Sequence, residues 1–266
     1  ECFVTEEGKE NKMHILKSLI IAFSIYSKIP VPQFEWKEED MKYMLCFFPW
    51  IGAVIGGGVY LWSCLCGIFD VGEICHTLIG AAVPLVITGG FHVDGFMDTM
   101  DAFHSYRPRE KKLEILKDSH IGAFAVIILA VYGIIYIGAF SEVADPKLLK
   151  IVCGGFFLAR CLSGISVVTF PSAKKDGMLY LFASSSQKVI VKWSLYLQGV
   201  ACICFMLCQS LYAGILVVVA AFLAFVYYYH RTKKELGGIT GDTAGYFILI
   251  CEASMMIVAA GINVLM

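Results

Sequence analysis

Residues 74–101, ICHTLIGAAVPLVITGGFHVDGFMDTMD, decide how this chain is read. From 74 to 91 the run is apolar and free of Asp, Glu, Lys and Arg, about the length that crosses a bilayer as a helix. Immediately after it stand Asp94, Asp98 and Asp101, at i, i+4 and i+7. At about 100° per residue the three lie within roughly 60° of arc, on one face of a helix. Anions clustered beside a membrane repel one another and cost solvation energy. Their hard oxygens suit Mg²⁺, Mn²⁺ or Ca²⁺, whereas zinc would favour His and Cys. The plainer alternative is a solvated helix face with capping carboxylates.

The rest of the chain carries the same membrane signature. Its 266 residues are 58% hydrophobic and 16% charged, with a mean hydropathy of +0.73. Such a composition belongs to polytopic membrane proteins. The net charge of −1 offers nothing to nucleic acid. The eleven cysteines lie mostly inside apolar runs without a CxxC pair, and read as small buried residues. Residues 1–12 read as a disordered lead-in, and 13–266 as a single membrane-embedded catalytic domain. Residues 13–29 predict an interfacial or half-buried helix ended by Pro30 and Pro32, followed by a charged approach segment at 35–42. Apolar runs near 43–67, 74–91, 121–144, 148–170, 190–208, 211–229 and 243–265 predict an all-α bundle of about seven spans, six to eight. Gly56-Gly57-Gly58 and Gly154-Gly155 mark places for close helix approach.

Charge sets the orientation. The segments 1–42, 92–120, 171–192 and 230–242 hold every Lys and Arg except Lys147, Lys150 and Arg160. By the positive-inside rule these segments are cytoplasmic, the N-terminus is inside and the C-terminus outside. Three polar segments then share the cytoplasmic face. The first runs from the acids through Arg107-Pro108-Arg109 to Asp118, where Asp118 or Ser119 can cap the next span. In the second, Arg160 lies inside an otherwise apolar span, where a charge faces the bundle interior, a watery cavity or an ion-pair partner, and Lys174 follows in the loop. The third, GGITGDTAG at 237–245, places Gly238, Gly241, Asp242 and Thr243 at a helix start, where exposed N–H groups can hold phosphate and an acid can hold metal or cap. Glu252 lies deeper in that span. Acids for a divalent cation, basic groups for phosphate and a glycine-rich helix start together suit phosphoryl or nucleotidyl transfer. A cation-coupled transporter is the rival class, but its acids would lie near the midplane.

Several motifs are similar to those of one family. GGFHVDGFMDTMDAF at 89–103, RPREKKLEILKDSHIGAF at 107–124, Ala159-Arg160 and GGITGDTAG resemble the adenosylcobinamide-GDP ribazoletransferase family, also called cobalamin synthase. KIPVP at 28–32 and FFPWIGAVIGG at 47–57 also fit. His120 and Lys174 stand where the family motif carries arginine. The resemblance implies transfer of the adenosylcobinamide phosphate from its GDP adduct to α-ribazole or α-ribazole 5′-phosphate, with release of GMP, at the last assembly step of cobalamin. It implies one or two Mg²⁺ ions held by Asp94, Asp98, Asp101, Asp118 and Asp242, with Asp94, Asp98, Asp101 and Asp242 catalytic and Asp101 a candidate general base. Phosphate and substrate contacts fall to Arg107, Arg109, Arg160, Lys174, Gly238, Gly241 and Thr243, with His92 orienting the segment or touching substrate. The implied setting is the inner membrane, as a homo-oligomer or beside other cobalamin-assembly enzymes. The CDP-alcohol phosphatidyltransferases share the logic of splitting a pyrophosphate at a membrane face, but their acidic spacing is absent.

Overall fold

The computed structural model describes residues 2–118 and 120–265, with side chains from residue 13 onward. Its helices are α1 (Cys2–Tyr26), α2 (Met44–Ile68), α3 (Glu73–Thr88), α4 (Phe91–His104), α5 (Arg109–Ile115), α6 (Ala123–Ser141), α7 (Pro146–Thr169), α8 (Met178–Ser185), α9 (Lys188–Gln209), α10 (Leu211–Leu236) and α11 (Gly241–Leu265), with one 3-10 turn at Glu38–Met41. Among the described residues the one sheet-like pairing is a single parallel bridge, Ser172 to Ile239.

Six helices (α2, α6, α7, α9, α10 and α11) are long and apolar enough to cross a membrane. The remaining apolar run, at 74–91, becomes α3, and the chain then bends by 92° into α4. The bend falls at Gly89 and Gly90, whose φ angles of 63° and 80° are left-handed and cheap only for glycine. α4 therefore runs across the end of the bundle and does not continue through it. All seven predicted runs are helices. α10 extends past the predicted end at 229 to Leu236 because its polar last turns still pack: Glu235 pairs with Lys112 of α5. Backbone helix also begins at Cys2, where the sequence predicts a disordered lead-in over 1–12; the side chains there lie outside the described residues.

The bundle is built around α7. Its start is local chemistry: Asp145 accepts from the amides of Lys147 at 2.7 Å and Leu148 at 2.9 Å, and Pro146 occupies the first turn. Its contact with α2 depends on Gly52 and Gly56, where a Cβ would strike the carbonyl oxygens of Phe156 and Cys153. Without side chains between them the two helices touch backbone to backbone. Gly154 and Gly155 instead receive Met206 and Met255, and Gly57 meets nothing.

The polar segments gather at one end, as the charge pattern predicts. Ala173 donates its amide to Ile239 O at 2.8 Å, and Ile239 donates to Pro171 O at 2.9 Å. Lys117 reaches Asp176 at 3.3 Å, and Gln187 N donates to Lys42 O at 3.1 Å. The charged approach segment folds back on α1, where buried Asp40 pairs with His14 at 3.0 Å and Lys17 at 3.2 Å.

Candidate active site

α4 and the start of α11 cross without spacers, and this brings the acids together. A Cβ on Gly95 would lie 2.8 Å from Asp242 O, and one on Gly245 would lie 2.9 Å from His92 O. Asp94 and Asp242, far apart in sequence, thereby line one polar mouth of about 250 Å³ with Ser172, Lys174, Asp176 and Thr240. Gly95→Val is expected to push α4 off α11 at an overpacking cost of about 1–3 kcal/mol. Thermal unfolding in detergent checks the cost, and activity should fall by more than the melting shift explains, since the acids separate.

Asp98 stands one turn behind Asp94 and is half-buried. Its carboxyl is pushed up to about 6, first by burial and then by the like charges of Asp94, Asp242 and Asp101. Lys174, half-buried, is drawn below the usual lysine range by burial while Asp242 pulls it the other way. Lys174 and Lys117 together do not balance Asp94, Asp98, Asp176 and Asp242. The donor set therefore fits a hard divalent cation, although among the described residues no three His, Cys, Asp or Glu side chains are closed into a ready cluster.

The other predicted residues separate into distinct places. Asp101 faces the start of α6: its Oδ2 accepts from Gly122 N at 2.6 Å and its Oδ1 from Ala125 N at 2.9 Å. It is a cap supplied across the fold, where the sequence offered Asp118 or Ser119. Asp118 is exposed and bonds its neighbour, with Oδ1 2.6 Å from His120 Nδ1. That bond lowers the Asp118 carboxyl and raises the His120 imidazole. Ser119 lies outside the described residues. Arg107 is exposed, and the Arg109 guanidinium lies against Gly237 at the glycine-rich turn.

Arg160 does not reach the mouth. It is 1% exposed, and its Nη1 donates to Glu252 Oε1 at 2.7 Å and to Phe156 O at 2.8 Å. The expected phosphate contact gives way to an ion pair between α7 and α11, because a lone guanidinium at that depth takes the nearest carboxylate. Gly238 packs on the 171–173 backbone, where a Cβ would strike Pro171 O. Thr243 is fully buried and ties the start of α11: it accepts from Thr240 N at 2.8 Å, and its own amide donates to Thr240 Oγ1 at 3.2 Å. Gly241 does line the mouth. His92, in the first turn of α4, is buried with Nε2 lacking a partner.

Sequence reasoning missed Asp176, Ser172, Gly95 and Gly245. An acid inside the basic SAKKDG stretch was the available signal for Asp176. Both glycines stand inside motifs quoted above, GGFHVDGFMDTMDAF and GGITGDTAG, and only the crossing partner reveals why they are small.

Fold and site together define a polytopic helical membrane protein with an acidic, glycine-framed mouth at one end. The chain belongs to the cobalamin-5-phosphate synthase family, whose model matches residues 18–260. It is similar to the adenosylcobinamide-GDP ribazoletransferase of Lachnoclostridium phytofermentans, 42% identical over 240 residues, covering 90% of this chain and 92% of that protein. The protein of that name in Clostridium perfringens is 31% identical over 239 residues, covering 89% and 94%. That of Listeria monocytogenes is 29% identical over 236 residues, covering 86% and 92%. No solved structure matches.

Proposed function

We propose that the chain is an adenosylcobinamide-GDP ribazoletransferase working at this mouth. The observation that carries the reading is the meeting of Asp94, Asp98 and Asp242 beside Lys174, in a chain of this family. Asp94 and Asp242, on the wall of the mouth, would hold Mg²⁺; when bound it neutralises charge on the pyrophosphate oxygens. Lys174 adds a positive charge for the donor's phosphates, and Lys117, 3.3 Å from Asp176 on the wall of the mouth, adds a second. The 5′ hydroxyl oxygen of α-ribazole attacks the phosphorus that carries cobinamide. The bond from that phosphorus to the bridging oxygen breaks, and that oxygen leaves with its electron pair as part of GMP. Asp98, whose carboxyl is raised by burial and by its like-charged neighbours, takes the hydroxyl proton. Asp101 positions α4 against α6.

Purified protein in detergent, given adenosylcobinamide-GDP, α-ribazole and Mg²⁺, is expected to release GMP and form adenosylcobalamin. A well-folded sample releasing no GMP overturns the reading. The rate should also depend on pH with a defined sign. Asp98 accepts a proton only when ionised, so the rate falls about tenfold per unit as pH drops below the midpoint of its carboxyl, which lies at about 6 before Mg²⁺ binds. Raising Mg²⁺ cancels the charges of Asp94 and Asp242, so the midpoint should move to lower pH; a midpoint indifferent to Mg²⁺ would detach Asp98 from the metal-holding acids.

The basic segments around the mouth support a cytoplasmic position for it at the plasma membrane. A cysteine introduced at exposed Glu110 should resist an impermeant maleimide in intact cells and react after permeabilisation. Labelling from outside would reverse the orientation.

A further inference from the structure

On the flank of the bundle α2 and α9 both pack against α7, and a groove of about 630 Å³ runs between them. Its volume is that of a small-molecule site, about 300–1,000 Å³. No residue lines both this groove and the acidic mouth. Its floor is α7 at Gly154 and Phe157. Small residues hollow its walls, Ala53 and Gly57 on α2 and Ala201 on α9. Gly57, Ala201 and Phe205 are exposed, so the groove opens sideways, towards lipid.

The two ends differ. At the end nearer the mouth, the Trp50 ring meets Phe157 edge to face, 6.0 Å between centroids. There too α9 is tied to α2, since Gln198 Nε2 donates to Cys46 O at 3.0 Å. At the other end stand Tyr60, Lys150 and Gln209. From Trp50 to Tyr60 is ten residues of helix, about 15 Å. That is half of the roughly 30 Å hydrocarbon thickness, the depth of one leaflet. α7 enters the bundle beside Lys150 and leaves it towards Ser172 and Lys174 of the mouth, so this leaflet is the one opposite the mouth.

Charge decides what kind of amphiphile suits the groove. Lys150 is the one charged residue lining it, and no Asp or Glu does. It is half-buried, one turn inside the start of α7, and its ammonium lies 5.8 Å from the centroid of the Tyr60 ring. Exposed Lys147 sits one turn earlier on the same face. These are the only two Lys or Arg residues outside the basic segments and the buried Arg160. A slot one leaflet deep, apolar along its length, with uncompensated cations at headgroup level, is complementary to a lipid that carries net negative charge. A zwitterionic lipid could fill the slot but brings its own cation to the same place.

We propose that this groove is a binding site for an anionic phospholipid of the leaflet opposite the mouth. One acyl chain lies along Gly57, Gly154 and Ala201 down to Trp50, and Lys150 holds the phosphate with Lys147 beside it. The bound chain fills the space that α2 and α9 leave over α7, so occupancy stabilises the arrangement of these three helices. Binding is read without turnover, and the site stands or falls independently of the reaction proposed above.

The test uses the full chain, stripped of lipid in a neutral detergent and titrated with dioleoyl phosphatidylglycerol. Phosphatidylcholine with the same chains is the comparison. Native mass spectrometry counts bound lipids and protein copies, and thermal unfolding reports stability. Wild-type protein is expected to retain one phosphatidylglycerol at least fivefold more tightly than phosphatidylcholine, about the discrimination that one or two lysines supply. Its melting temperature should rise with phosphatidylglycerol, and the preference should weaken in high salt. Lys150→Gln removes the charge without emptying the core and should reduce the preference below twofold. Gly57→Leu adds a side chain where a Cβ meets nothing within 4 Å and favours helix, so it should fold normally and weaken both lipids at least tenfold. Equal retention of the two lipids by wild type overturns the site. So does an unchanged preference in Lys150→Gln, or unchanged retention in Gly57→Leu, with the melting curve intact. Wild-type dimers that retain no lipid and are dispersed by Gly57→Leu would also overturn it, by giving the groove to a second copy of the chain.

Discussion

Asp242→Asn is expected to cut GMP release at least about a thousandfold, the equivalent of roughly 4 kcal/mol of transition-state stabilisation. The substitution keeps the size of the side chain and its contact with Thr240, 3.3 Å away. It removes one of the charges that burden Asp98, so the melting temperature should hold or rise. Loss of activity with unchanged or greater stability distinguishes a site acid from a structural one. The Mg²⁺ titration should shift to higher concentration in the same variant. Wild-type rate in Asp242→Asn would remove the acidic mouth from the chemistry. Asp98→Asn is expected to lose about 10²–10⁴-fold for the different reason that no carboxylate remains to take the proton.

The second large effect is on stability. Arg160 and Glu252 are both buried and meet at 2.7 Å between α7 and α11. Arg160→Met strands a carboxylate and Glu252→Leu strands a guanidinium, each at about 3–5 kcal/mol. The double variant leaves no charge unpaired and should recover to within about 1 kcal/mol of wild type. Unfolding of the four proteins in detergent gives the coupling energy directly. Single losses that simply add in the double variant would mean that the pair is not a unit.

Much of the architecture was legible in the residues. Seven apolar runs of spanning length became α2, α3, α6, α7, α9, α10 and α11, because in a bilayer every backbone polar group must be satisfied within its own helix. The gathering of polar segments at one end followed from the placement of Lys and Arg. The bend at Gly89-Gly90 comes from the structure: in the sequence the apolar run carries on to residue 91, past both left-handed glycines. The family was equally legible, because its motifs are contiguous strings.

The site was legible in kind but not in membership. Asp94, Asp98 and Asp101 are equivalent on a helical wheel. Yet Asp94 opens on the mouth, Asp98 is half-buried among like charges, and Asp101 caps α6. Helical periodicity fixes angle within one helix and says nothing about which neighbour occupies each angle. Arg160 and Glu252 each stood out as a charge inside a span; that they choose one another depends on how α7 and α11 face. What the sequence alone determined is therefore the membrane bundle, its polar end, its family and the residue types of the chemistry, all properties of local pattern and composition. What only the tertiary structure decided is which acids share a mouth, through the contacts at Gly95 and Gly245, and that Arg160 and Glu252 pair inside the bundle. Those depend on contacts between residues distant in sequence, where a single missing Cβ sets how closely two helices meet.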